Sequence, residues 1–224
     1  MTSPAMRERP SPNHGPRRTA VDMLILHYTG MKTAQAALDR LCDPASEVSA
    51  HYLIGESGAI WRLVPEDRRA WHAGRAFWAG TTDINSRSIG IELANPGHEH
   101  GYRPFPDAQM TALELLCRGI LTRFPIRSHL VLGHADVAPG RKLDPGELFD
   151  WRRLAAAGIG LWPDGTPVEA GDFAADMRLY GYENDSAESV AAFQRHFRPA
   201  AVTGIADAET RARLRNLIIQ AGLA

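Results

Sequence analysis

At 224 residues the chain has room for one domain of about 150 residues and a smaller second one. Its 44% hydrophobic and 23% charged residues are ordinary for a globular protein and exclude global disorder. A formal net charge of −1 offers no basic field to nucleic acid and no polybasic face to anionic lipid, and no run of about 20 apolar residues spans a membrane.

The first twenty residues, MTSPAMRERPSPNHGPRRTA, carry the prolines and charges of a flexible lead-in (1–20) with no interpretable role. They lack an apolar run of about 7–15 residues behind the basic ones, so no secretory leader is expected. The expected compartment is the cytoplasm, with the periplasm as the alternative. Residues 21–28 form an apolar run that reads as a buried strand, with Met23, Ile25 and His27 on one face and Leu24, Leu26 and Tyr28 on the other. Thr33 to Leu41 is a short helix ended by Asp43-Pro44. His51 to Ile54 and Ala59 to Val64 make a hairpin around Gly55-Glu56-Ser57-Gly58. Ala70 to Asn85 reads as irregular surface. Ser88 to Ala94 alternates again, with Ile89, Ile91 and Leu93 opposite Gly90 and Glu92.

Pro106, in a first-turn position, opens the longest helix, which runs to about Phe124. Its apolar stripe is Met110, Leu113, Leu116/Cys117, Ile120/Leu121 and Phe124. Ser128 to Gly133 is a strand, and Trp151 to Ala157 a short helix. Cys42 and Cys117 lack CxxC spacing and read as buried reduced thiols, with one disulfide between them left open. A turn-rich linker (161–168) leads to three helical patterns, Glu169 to Leu179, Ala187 to Phe197 and Asp207 to Gln220. The expected architecture is α/β, a mixed central β-sheet flanked by helices over 21–160, followed by a small all-α three-helix domain over 169–224.

Between strand and helix lies Gly133–Gly146, GHADVAPGRKLDPG, too rich in Gly and Pro for helix or long strand. It gathers His134, Lys142 and Asp144, and such loops more often do chemistry than connect. With His27 and Glu92 at strand ends, two imidazoles and one carboxylate with an open fourth position form the donor set of a catalytic zinc. Such an ion polarises a carbonyl and makes water acidic. Glu92, opposite the apolar face of its strand, suits a general base, and Lys142 suits the oxyanion that develops on the carbonyl. Spacing alone leaves open the blander reading that these histidines, like His51, His72 and His129, are hydrogen-bonded core or surface residues.

The segments LHYT, SAHYLI, AWHAG, SIGIEL and GHADVAPGRKLDPG, in this order, resemble the zinc-dependent N-acetylmuramoyl-L-alanine amidases of the AmpD/AmiD type over about residues 20–157. The resemblance implies one Zn2+ per chain on His27, His134 and Asp144, with Glu92 as general base and Lys142 as transition-state stabiliser. It reaches further positions as well: His51 as a structural residue, and Trp71, His72 and Asn85 as cleft walls. Together with Tyr28 and Arg141, these make the candidate substrate-binding set. LYGY (179–182), SVAAFQRHF (189–197) and TGIADAETRARL (203–214) resemble a three-helix peptidoglycan-binding domain, in which Val190, Phe193, Phe197 and Leu214 would be core.

The resemblance implies hydrolysis of the amide between N-acetylmuramic acid and the L-alanine of a stem peptide. The expected substrate is a 1,6-anhydro-muropeptide met during cell-wall recycling by a monomer. An exported amidase acting on intact peptidoglycan is one alternative. A non-catalytic peptidoglycan-recognition protein is another, disfavoured because every ligand position is filled. An adaptor that uses only its C-terminal domain would leave the GHADVAPGRKLDPG loop unexplained.

Overall fold

A computed structural model of the chain describes residues 6–166, 168 and 171–224. Its main sheet has six strands: β1 (Met6–Glu8), β3 (Met23–Tyr28), β4 (Tyr52–Ile54), β5 (Ile60–Arg62), β7 (Ser88–Leu93) and β8 (Val131–Gly133), in the order β1-β5-β4-β7-β3-β8. β7 and β8 both run parallel to β3, while β4 and β5 form the expected antiparallel hairpin, so the sheet is mixed. β2 (His14–Pro16) and β6 (Arg68–Ala70) form a separate two-stranded ribbon.

The alternation read from β3 and β7 divides the core. Leu24, Leu26, Ile89, Ile91 and Leu93 pack under the long helix, α4 (Asp107–Arg123), against Met110, Leu113, Leu116 and Ile120. Pro106 is the N-cap of α4, one place before the first turn where it was expected. Buried Gln109 donates to the carbonyls of Ile54 and Ala94, tying α4 to the ends of two strands. On the other face Met23, Ile25 and Leu132 meet the C-terminal helices α7 (Phe173–Tyr180), α8 (Ala187–Phe197) and α9 (Ala208–Ala221) in one continuous cluster. Asp172, Ser186 and Asp207 cap these helices through their side chains, which defines their starts. The expected helix start at Glu169 lies outside the described residues. Cys42 and Cys117 are free, Cys117 fully buried and Cys42 only partly so.

Three expectations fail, each for lack of a local signal. The lead-in is structured from Met6 onward: β1 adds to the sheet edge beside β5, and β2 pairs with β6. Arg17 then half-buries its guanidinium, donating from Nε to Glu66 O (2.8 Å) and from Nη1 to Ser86 O (2.8 Å) and Ser88 O (3.0 Å). The expected strand at Ser128 begins as a turn of 3-10 helix, Ser128–Leu130. The stretch Ala70–Asn85 is not all surface, because Trp78, Ile84 and Asn85 are buried. Trp78 is the socket of the helical domain, with Tyr180 and Tyr182 edge-on to it at 5.5 and 4.8 Å. Gly181 must be glycine there, since an added Cβ would lie 2.4 Å from the Trp78 ring at φ +138°. Emptying an aromatic socket of this kind costs about 3–5 kcal/mol, a large share of the about 5–15 kcal/mol that holds a domain. The helical domain is therefore a packed part of the body.

Candidate metal centre

The carboxyl ends of β3 and β7, the loop after β6 and the turn after β8 converge on one cleft of about 400 Å³. His134 and Asp144 line it and form one group with His27, all three buried. The Nδ1 atoms of the two histidines lie 3.0 Å apart, and each stands 3.1 and 3.0 Å, respectively, from Asp144 Oδ2.

The outer hydrogen bonds settle the tautomers. The Ser88 hydroxyl donates to the Ile84 carbonyl at 2.6 Å, so it must accept from His72 Nε2–H at 3.2 Å. His72 Nδ1 is then an acceptor, and takes the proton of His27 Nε2 at 3.0 Å. His134 Nε2 donates to the Ala73 carbonyl at 3.0 Å. Both ligand rings thus turn a lone pair inward, toward each other and toward a carboxylate. Three electron-pair donors with no proton among them repel unless a cation sits at their centre. Tetrahedral zinc bonds of about 2.0–2.1 Å would space the donors by about 3.3 Å, close to what is seen. The residues fit the metal.

The backbone holds this set open. His134 begins a single helical turn, α5 (His134–Val137), a short exception to the expectation that the loop is non-helical. Ala135 N–H donates to Asp144 O at 2.8 Å and clips the two ends of the loop together. His72 lies against Gly90 of β7, where a Cβ would meet its Cγ at 2.5 Å. Gly90→Ala should therefore push His72 off His27, costing about 1–3 kcal/mol of stability and weakening metal binding. A wild-type thermal midpoint together with wild-type metal affinity would show that His72 has no such role.

Glu92 is the register partner of His27 on β7, on the same face of the sheet. It lines the cleft, and its Oε2 is buried without a hydrogen-bond partner. Burial, and then the Asp144 charge, push its carboxyl well above the usual range, while Lys142 opposes them. Lys142 sits half-buried on the cleft wall. Burial also raises the Asp144 carboxyl, and only a positive charge or proton shared with His134 and His27 outweighs it and holds the group below the carboxylate range.

Of the other anticipated residues, Tyr28, Trp71, His72 and Arg141 line the cleft. The Tyr28 hydroxyl lies 2.9 Å from His98 Nδ1. Arg141 donates to the Ala73 and Arg75 carbonyls, which anchors its guanidinium at the rim. His51 and Asn85 do not reach the cleft. His51 is fully buried, with Nδ1 accepting from Gly90 N–H at 2.9 Å and Nε2 facing the Arg68 carbonyl at 3.1 Å. Asn85 Oδ1 accepts from the His72 and Ala73 N–H groups, so it shapes the loop and is not a cleft wall.

The buried imidazoles imply a pH signature for the metal-free protein. Burial, then His134, lowers His27 to about 4; burial, then Arg17, lowers His51 to about 3. An unfolded imidazole protonates near pH 6.5, so between that value and the folded ones the unfolded chain binds more protons. Stability is complete above about pH 6.5 and drains as pH falls through this window. Glu92 has the opposite sign but is one group against these two and His72, which is lowered as well. The thermal midpoint of chelator-treated protein should fall between pH 7 and 4, and a flat profile would refute the neutral-histidine assignment.

The model of the N-acetylmuramoyl-L-alanine amidase family matches residues 17–147. The chain belongs to this family. The amidase carries in addition a match to a peptidoglycan binding domain at residues 181–214. It is 38% identical to the N-acetylmuramoyl-L-alanine amidase AmiD of Escherichia coli (strain K12), across 90% of this chain and 84% of that one. It is 34% identical to the 1,6-anhydro-N-acetylmuramyl-L-alanine amidase AmpD of Haemophilus influenzae, across 69% and 89%. Among solved structures, E. coli AmiD in complex with anhydro-N-acetylmuramic acid-L-Ala-D-γ-Glu-L-Lys superposes with a TM-score of 0.80 at 38% identity, covering 96% of this chain and 94% of that one. AmpDh3 of Pseudomonas aeruginosa gives 0.81 at 35%, covering 95% of each. Sequence reasoning passed over Asp136, the buried acid two residues after His134, although it stood inside the motif.

Proposed function

We propose that this amidase holds one zinc ion on His27 Nδ1, His134 Nδ1 and Asp144. We propose further that it hydrolyses the amide between 1,6-anhydro-N-acetylmuramic acid and the L-alanine of a stem peptide, in cell-wall recycling in the cytoplasm. The observation that carries the reading is the convergence of three proton-free donors beside a carboxyl whose Oε2 is buried without a partner. Bound there, zinc supplies Lewis acidity toward the scissile carbonyl and lowers the pKa of water to about 7. Glu92, one strand away, takes the proton of the attacking water and passes it to the leaving L-alanine nitrogen. Its raised affinity for a proton suits both halves of that transfer. Lys142 faces the negative charge that grows on the carbonyl oxygen. Tyr28, Trp71 and Arg141 line the walls that hold the saccharide and peptide arms.

The named anhydro-muropeptide ligand of the E. coli relative supports this substrate class. A second reading, an exported enzyme acting on intact sacculi, is favoured by the helical domain that matches a peptidoglycan-binding model. Mass spectrometry of products from anhydro-muropeptide and from intact sacculi separates the two. Release of L-alanine-headed peptide chiefly from anhydro-muropeptide is expected, and release only from sacculi would reverse the order of the readings.

A further inference from the structure

Asp136 is 2% exposed, and its carboxylate accepts three hydrogen bonds from two parts of the molecule. Gly133 N–H donates to Oδ2 at 2.7 Å. The Tyr182 hydroxyl donates to Oδ1 at 2.6 Å, and His196 Nδ1–H to Oδ2 at 2.7 Å. Tyr182 and His196 belong to the helical domain, and both are buried. The His196 ring stacks on Trp151 and on Phe197, with centroids 3.7 Å away in each case, so its donor nitrogen has one direction to point. Gly133 is equally confined, because a Cβ there would lie 2.8 Å from Pro145.

Asp136 thus sits between the helical domain and the turn that presents His134. A buried carboxylate stripped of a donor carries an uncompensated charge, so the three bonds hold or loosen together. We infer that Tyr182 and His196 are positioning residues for the metal site, and that the helical domain braces the His134 turn through Asp136. This gives the domain a role in metal retention that is independent of any affinity for peptidoglycan. The inference rests on the zinc reading above.

The test is the zinc dissociation constant of the full chain, measured by competition with a chromophoric chelator well below each variant's thermal midpoint. Tyr182→Phe and His196→Phe keep the ring and remove the donor. Each should weaken zinc about tenfold, the lower end of the range for groups that orient ligands from behind. Tyr180→Phe is the control, since Tyr180 packs in the same interface but its hydroxyl faces the His129 carbonyl at 3.5 Å and does not touch Asp136. It should bind zinc as the wild type does. Equal zinc affinity in wild type, Y182F and H196F overturns the brace alone. Weakening by Y180F to the same extent overturns it too, by showing that any loosening of the interface suffices. A wild type that binds no zinc overturns the metal reading and the brace with it.

Discussion

Glu92→Gln should fold, hold its zinc and lose about 10²–10⁴ of its turnover, the usual share of a general base. The amide has the shape of the carboxyl and fills the same place on β7, but it cannot take a proton. KM should stay within a few-fold while kcat falls, because the group acts on the proton in flight and not on substrate binding. Stability should not suffer. The folded protein raises the Glu92 pKa, so above the ordinary carboxylate value the buried charge costs stability, and the cost grows until pH passes the raised value. Glutamine removes that cost, and the thermal midpoint at neutral pH should equal or exceed that of the wild type. Wild-type turnover in Glu92→Gln would assign the proton transfer to another residue.

Asp144→Ala should bring bound zinc well below one per chain and abolish detectable hydrolysis. Asp144 is one of three donors and the only charged one, so its loss should exceed the about 10–100-fold typical of outer-shell partners. The loop itself should survive, because its clip runs from Ala135 N–H to the Asp144 main-chain carbonyl and outlasts the side chain. Metal analysis checks the first claim, and unchanged zinc content would remove Asp144 from the ligand set.

The parts of this site that could be read from the sequence are those written in local periodicity. Alternation along 23–28 and 88–93 put His27 and Glu92 on the faces opposite the α4 core, and the structure pairs them in register. Pairing itself is non-local, and no pattern in either strand announces it. The lead-in misled because its partners are remote: Ser11, Asn13 and Arg17 find theirs 30 or more residues away. Local polarity looked like disorder, whereas the acceptors of those side chains are backbone carbonyls at the end of the Ala34–Leu41 helix and in the loop before β6. Trp78 and Asp136 were missed for the same reason, since the aromatic and hydrogen-bonding groups that bury them come from a domain that reads by itself as a separate helical unit. His51 and Asn85 matched family positions, as the cleft residues Trp71 and His72 did, but their buried partners make them scaffolding.

The most direct measurement is a zinc titration of the chelator-treated 224-residue chain against anhydro-muropeptide, with released L-alanine-headed peptide followed by mass spectrometry. Activity should be absent at the start, rise in proportion to added zinc and level off at one zinc per chain. Hydrolysis in the zinc-free protein, or a plateau reached only at two or more ions per chain, would contradict a single zinc on His27, His134 and Asp144.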